Sequence, residues 1–235
     1  SLLQCAGSCA TAYGVVRTSD QYNAAGSIYK STDYGFTWSV TSAPSVPWIA
    51  MATSSSGQYV AALLSNTFNY PNVASLYVSS NSGSTWTVRP VPFVSWATGV
   101  VAKVSMSASG AFKAVLSRQE GLAVSSDYGV SWALTSVALG WKDVSMSSGG
   151  DTMLAAFSVG GMYKSTNYGS SWFALNTGLN SWGILAVSEA PLSRVYGTIR
   201  SVVYQYLPFA STPTLMPTPQ PSRVSSFVPS AKPTA

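Results

Sequence analysis

Histidine is missing altogether, charged residues make up 8% of the chain, and only two cysteines occur. Globular proteins usually carry about 25% charged residues. Without histidine there is no Ser-His-Asp or Cys-His nucleophile and no imidazole metal centre. Two thiolates alone cannot complete a metal site, so neither metal nor cofactor is expected. Twelve Lys and Arg against seven Asp and Glu give a net charge of +5, but no basic run occurs. That scatter excludes a nucleic-acid footprint or an anionic-membrane patch. No apolar stretch approaches the ~18 residues of a membrane-spanning helix. Gly-rich phosphate loops and Asn-x-Ser/Thr sequons are also absent. The chain opens on Ser1 with no leader-like segment, which reads as a mature or trimmed form. Cys5 and Cys9 either pair with each other, pair with a partner further upstream, or sit as two small buried residues.

What is present is a repeat. The octapeptide Ser31-Thr32-Asp33-Tyr34-Gly35-Phe36-Thr37-Trp38 returns at Ser79–Trp86, Ser125–Trp132 and Ser165–Trp172. Its closing tryptophans, Trp38, Trp86, Trp132 and Trp172, lie 48, 46 and 40 residues apart. A second tryptophan follows each octapeptide, at Trp48, Trp96, Trp141 and Trp182. Short apolar strands come next, such as Ile49–Ala52 and Tyr59–Leu63, joined by Ser/Gly turns. Four short strands per unit and no sustained helical spacing predict an all-β fold of four-stranded antiparallel blades, a β-propeller. Each sheet can bury its faces only against its neighbours, so the units must stack around an axis.

The expected blades are residues 1–45, 46–93, 94–138, 139–179 and 180–208, the last with three strands and no octapeptide. Five blades either close one ring or form part of a six- to eight-bladed one. Residues 209–235 are dominated by Pro, Ser and Thr and read as a disordered stalk of the O-glycosylated kind. That composition points to an extracellular or secreted, cell-surface-tethered protein.

The octapeptide resembles the Asp-box (BNR) repeat, Ser-x-Asp-x-Gly-x-Thr-Trp. That repeat is found in sialidases, xyloglucan-type glycoside hydrolases, sortilin-like receptors and photosystem II assembly factors. The resemblance covers residues 1 to about 208 and implies a propeller with each octapeptide between the third and fourth strands of a blade. The acceptor alternates: Asp33 and Asp127 in two copies, Asn81 and Asn167 in the others. Asn accepts hydrogen bonds but is no acid or base near neutral pH, so the position needs an acceptor and not a charge. Gly35, Gly83, Gly129 and Gly169 are expected to supply positive φ. The box tryptophans are expected to anchor the hairpins, with Trp38→Ala costing about 3–5 kcal/mol.

In such propellers ligands bind the face opposite the boxes. On that face the reading places Trp48, Trp96, Trp141, Lys142, Asp143 and Trp182 in loops entering the first strands. Loops joining strands two and three contribute Arg17, Asp20, Tyr22, Asn66, Asn69, Tyr70, Arg118, Gln119, Glu120 and Arg200. The tryptophans form either a ring of exposed indoles for a glycan or peptide, or a set of inter-blade packing residues. Breaks in the repeat symmetry carry more information about a site. Resemblance to sialidases implies a carboxylate clamp from Arg17, Arg118 and Arg200, a Tyr22–Glu120 nucleophile pair and Asp20 in acid/base work. The Arg-Ile-Pro motif of sialidases is absent, and Asp20 with Asp143 is the one carboxyl pair to consider for a general glycosidase. The leading expectation is a non-enzymatic binding module presenting one face to a glycan or protein. A sialidase-like hydrolase is the alternative, and a photosystem II assembly factor of the plastid lumen is a third.

Overall fold

The computed structural model describes residues 2–17, 24–64, 75–93, 102–118, 120–136, 140–157, 161–175, 185–187, 195–199, 202–206 and 216–217. They form five four-stranded antiparallel sheets, each of four consecutive strands. Blade 1 holds β1 (Leu3–Cys5), β2 (Ala12–Arg17), β3 (Gly26–Ser31) and β4 (Ser39–Val40). Blade 2 holds β5 (Trp48–Thr53), β6 (Val60–Leu64), β7 (Ser75–Ser79) and β8 (Thr87–Pro90). Blade 3 is β9 (Ala102–Met106), β10 (Lys113–Ser117), β11 (Gly121–Ser125) and β12 (Ala133–Ser136). Blade 4 is β13 (Trp141–Met146), β14 (Met153–Phe157), β15 (Gly161–Ser165) and β16 (Phe173–Leu175). Blade 5 is β17 (Leu185–Val187), β18 (Val195–Ile199), β19 (Val202–Tyr206) and β20 (Met216–Pro217).

Blade 5 therefore has a fourth strand, where the composition of the segment suggests only stalk. Met216 and Pro217 pair with Gln205 and Tyr204. An outer edge strand is where a ladder tolerates proline, because one side of it carries no partner. Near the start of the chain, Cys5 and Cys9 form a disulfide with Cα atoms 4.8 Å apart, within the usual span for such a bridge.

First strands of successive blades approach one another in chain order, β1 to β5, β9, β13 and β17, and so line the axis. Second strands are buried on both faces: Val-Ala-Ala-Leu-Leu in β6 and Met-Leu-Ala-Ala-Phe in β14 are continuous apolar runs. Their alanines let neighbouring sheets come close. The core is accordingly a series of inter-blade layers. Tyr13, Val15 and Ile28 of blade 1 pack on Trp48, Met51 and Val60 of blade 2. Ala52, Leu63 and Leu76 of blade 2 meet Val104, Val115 and Ala123 of blade 3. Leu116, Leu122 and Val124 of blade 3 meet Trp141, Val144 and Met153 of blade 4.

One bulge recurs. The pairing slips between Trp48 and Ala50 in β5 and between Trp141 and Asp143 in β13. An extra residue at that point re-aims the residue before it. Trp48 and Met51 consequently face blade 1 while Ala50 faces blade 3. Without the bulge, Trp48 and Ala50 would share a side.

Candidate functional site

Each octapeptide links the third strand of its blade to the fourth through the same hydrogen-bonded turn. The leading serine is buried, with Ser31, Ser79, Ser125 and Ser165 at 2% exposure or less. Ser125 Oγ accepts from Gly129 N at 2.9 Å and Asp127 N at 3.4 Å, and donates to Asp127 Oδ1 at 2.8 Å. Ser31, Ser79 and Ser165 repeat this pattern. Two residues in a row adopt left-handed backbone, Tyr34 at φ 61° and Gly35 at 88°, and likewise Ser82–Gly83, Tyr128–Gly129 and Tyr168–Gly169. The sequence points only to the glycine. A non-glycine there is held by its surroundings: Tyr128 N donates to Ala111 O and its ring packs on Tyr59 of the preceding blade, centroids 4.9 Å apart. Tyr168 stacks on Phe112 in the same way, at 4.4 Å.

The acid and the amide do the same work with one bond reversed. Thr37 N donates to Asp33 Oδ1 at 2.8 Å, and Thr37 Oγ1 donates to Asp33 Oδ2 at 2.6 Å. At Asn81 the backbone bond is kept at 2.8 Å, but Nδ2 now donates to Thr85 Oγ1. Hydrogen bonds from Thr37 and Ser131 hold the carboxyls of Asp33 and Asp127 down at about 2. Both are therefore ionised and taken up by the turn. Ser125→Ala should cost about 1–3 kcal/mol, because it leaves buried N–H groups without an acceptor; chemical denaturation against wild type reads this directly.

Closing tryptophans seal the turns: Trp38, Trp86 and Trp172 donate Nε1–H to the carbonyls of Gly35, Gly83 and Gly169. Trp132 departs from this pattern, its Nε1 being buried without a hydrogen-bond partner among the described residues. Trp86, Trp132 and Trp172 each pack into the layer shared with the preceding blade. On Trp38 no described blade packs, and it is 40% exposed. With Leu2, Leu3, Val16 and Tyr29 it lines an apolar groove of about 400 Å³.

A ring of exposed indoles is not what the opposite end of the blades presents. Trp48 is fully buried and Trp141 is 3% exposed. Trp48 meets Tyr77 edge-on at 5.1 Å, and Trp141 meets Phe157 and Tyr163 edge-on at 5.2 and 5.3 Å. Neither offers a free face for stacking; both are inter-blade packing residues. Trp96 and Trp182 lie outside the described residues.

The symmetry-breaking residues divide. Arg118 is exposed, in the turn from β10 to β11, and its carbonyl accepts from Gly140 N at 2.8 Å. That bond brings the Arg118–Glu120 turn beside the entry to β13, which carries Lys142 and Asp143. Asp143 belongs to the strand and not to the entry loop; it is 7% exposed, and its Oδ1 accepts from Val144 N at 3.0 Å. It takes the register position of Ala50, which explains its burial. Arg17 closes β2. Asp20, Tyr22, Asn66, Asn69, Tyr70, Gln119 and Arg200 lie outside the described residues, so the expected three-arginine clamp and the Asp20–Asp143 pair do too. Among the described residues no group of three or more His, Cys, Asp or Glu could hold a metal.

One residue stands outside every motif singled out in the sequence. Lys113 opens β10 fully buried, opposite Ser125. Its ammonium donates to Gly110 O and lies 5.5 Å from the Tyr128 ring centroid. Burial brings its pKa down to about 8, opposed by the charge of Asp127. The signal available was register: Val60 and Met153 stand at this position in blades 2 and 4, opposite Ser79 and Ser165.

No family model and no curated protein sequence matches the chain. Solved structures do match it. A GH74 enzyme of Niastella koreensis superposes with a TM-score of 0.67 at 19% identity, over 88% of this chain and 30% of that one. The GH74 xyloglucanase of Xanthomonas campestris gives 0.64 at 16% identity, over 92% of this chain and 38% of that one. YCF48 bound to D1 peptide gives 0.58 at 12% identity, over 89% of this chain and 65% of that one. The chain thus spans less than two fifths of the length of these two GH74 proteins. At such identities the likeness is one of architecture, and the chain is an all-β protein with the β-propeller fold of four-stranded blades.

Proposed function

We propose that this is a non-enzymatic binding propeller of the Asp-box (BNR) type, acting outside the cell and presenting its blade-entry face to a glycan or protein. The observation that carries the reading is the fate of three of the seven acidic residues. Asp33, Asp127 and Asp151 each accept hydrogen bonds within a turn and have lowered pKa values. Acid/base chemistry needs a proton affinity near the working pH, and the hydrogen bonds of the turns move these groups away from it. The Cys5–Cys9 disulfide and the Pro/Ser/Thr-rich composition of the chain beyond β20 favour an oxidising, extracellular setting.

The test is retention of the folded chain on glycan and peptide arrays, alongside turnover of xyloglucan, sialoside and β-glucoside substrates. Saturable retention without turnover is the expected result; turnover above background replaces this reading with the hydrolase. That second reading has its own support in the likeness to GH74 enzymes, and its residues would be Arg118, Glu120 and Asp143 around the Arg118–Gly140 bond. The peptide arm of the arrays covers a role like that of YCF48, which is seen bound to a D1 peptide.

A further inference from the structure

Between blades 3 and 4 runs a slot of about 300 Å³, walled by Trp141, Phe157, Tyr163 and Trp172 and edged by the hydroxyls of Thr135 and Ser171. We propose that this slot binds a neutral pyranose, and that Asn167, standing where two other turns have aspartate, frees the hydroxyl that recognises it. The slot runs along the flank of blade 4, from Trp141 and Phe157 at the entry end of their strands to the octapeptide turn at Ser171.

The chemistry follows from the lining. A slot of this size falls at the lower end of small-ligand pockets, about 300–1,000 Å³. The partly exposed rings of Phe157, Tyr163 and Trp172 suit the C–H faces of a sugar ring, and hydroxyl edges suit its equatorial groups. No Lys, Arg, Asp or Glu lines the slot, so a sugar acid would enter without a counter-charge and pay its full desolvation.

Two polar groups at the slot have unused capacity. Thr135 Oγ1 donates to Leu122 O at 3.1 Å and keeps its lone pairs for a donor. The second is Ser171 Oγ. In the aspartate turns the corresponding hydroxyls give their protons to the carboxylate: Thr37 to Asp33 at 2.6 Å and Ser131 to Asp127 at 2.5 Å. Here the bond is reversed, with Asn167 Nδ2 donating to Ser171 Oγ at 2.9 Å. The amide cannot be turned round, because Oδ1 must accept from Ser171 N, also at 2.9 Å. The Ser171 proton is left for a ligand oxygen.

Asn81 reverses the bond in blade 2 as well, but there the ladder partner of the first-strand tryptophan is Leu64, where blade 4 has Phe157. The reversed bond and an open aromatic slot therefore coincide in blade 4.

The test is titration of the full chain with methyl β-D-glucopyranoside, followed by tryptophan fluorescence and calorimetry. N-acetylneuraminic acid and N-acetyltyrosinamide serve as charged and aromatic comparators. A saturable signal with a millimolar Kd is expected for the glucoside, and none for the sugar acid. Ser171→Ala and Asn167→Asp should each weaken it about 5–10-fold, the equivalent of one hydrogen bond. Asn167→Asp should leave the unfolding midpoint in place, since blades 1 and 3 carry aspartate there, and Asn81→Asp should leave affinity unchanged. No saturable glucoside signal, equal affinity in wild type, Ser171→Ala and Asn167→Asp, or binding of the tyrosine amide alone would each overturn the proposal. Repeating the arrays with Ser171→Ala separates this proposal from the entry-face reading on which it does not rest: entry-face retention survives the substitution, whereas retention through the slot weakens with the glucoside signal.

Discussion

Trp48→Ala is expected to lower the unfolding free energy by about 3–5 kcal/mol, which denaturant titration at neutral pH will show as a large drop in midpoint. The indole is fully buried between blades 1 and 2, edge-on to Tyr77 and 6.5 Å from the Trp86 ring. Truncation opens a cavity among β-strands whose ladders cannot collapse to fill it. Trp38→Ala should cost far less, about 1 kcal/mol, because a 40% exposed indole loses mainly partial burial and one bond to Gly35 O. The sequence alone suggested the large cost for Trp38, taking all box tryptophans as equivalent. What distinguishes Trp38 is that no described blade lies against its side of blade 1.

Lys113→Met should stabilise the fold, by up to about 3 kcal/mol at pH 7. Lys113 is fully buried, and the same ladder position in blade 4 is occupied by buried Met153. A lysine whose folded pKa is about 8, against an ordinary 10.5, is charged at a cost in the fold at every pH below about 8. Between about 8 and 10.5 the unfolded chain binds more protons than the folded one. Wild-type stability should therefore rise with pH through that window, and the Met variant should stay flat. Tyr13, whose pKa burial raises to about 12, acts in the opposite direction only above about pH 10. Urea titrations from pH 7 to 10 separate the two variants. A Met variant less stable than wild type would mean that the Gly110 and Tyr128 contacts outweigh the burial of the charge.

Much of the architecture was legible because it repeats. Four octapeptides at blade spacing set the fold class, and the Asp/Asn alternation located the acceptor that the turns use. Three things were not legible. The bulge after Trp48 and Trp141 leaves no compositional trace, yet it decides that those indoles point between blades and that Asp143 is buried. The left-handed tyrosines look like ordinary surface residues until the neighbouring blade supplies Tyr59 and Phe112 to hold them. Lys113 reads as one more scattered charge until its ladder partner Ser125 places it under a turn. In each case the deciding contact comes from another strand or another blade, which a linear reading cannot supply. For the candidate site, sequence asymmetry singled out Arg118, Glu120, Lys142 and Asp143, and the Arg118–Gly140 bond brings their two segments side by side.

The account rests on the octapeptide being a turn that needs an acceptor and not a charge. The most direct measurement is thermal unfolding of the Asp33→Asn, Asp127→Asn double variant by circular dichroism, at pH 7 and down through pH 2. Both carboxyls have folded pKa values of about 2, below the ordinary 3.8, so the stability they contribute is present above about 4 and is lost as pH falls toward 2. The account predicts cooperative unfolding at pH 7 within a few degrees of wild type, and a shallower loss of stability in acid. A double variant that fails to fold at pH 7, or loses most of its thermal stability there, would contradict it.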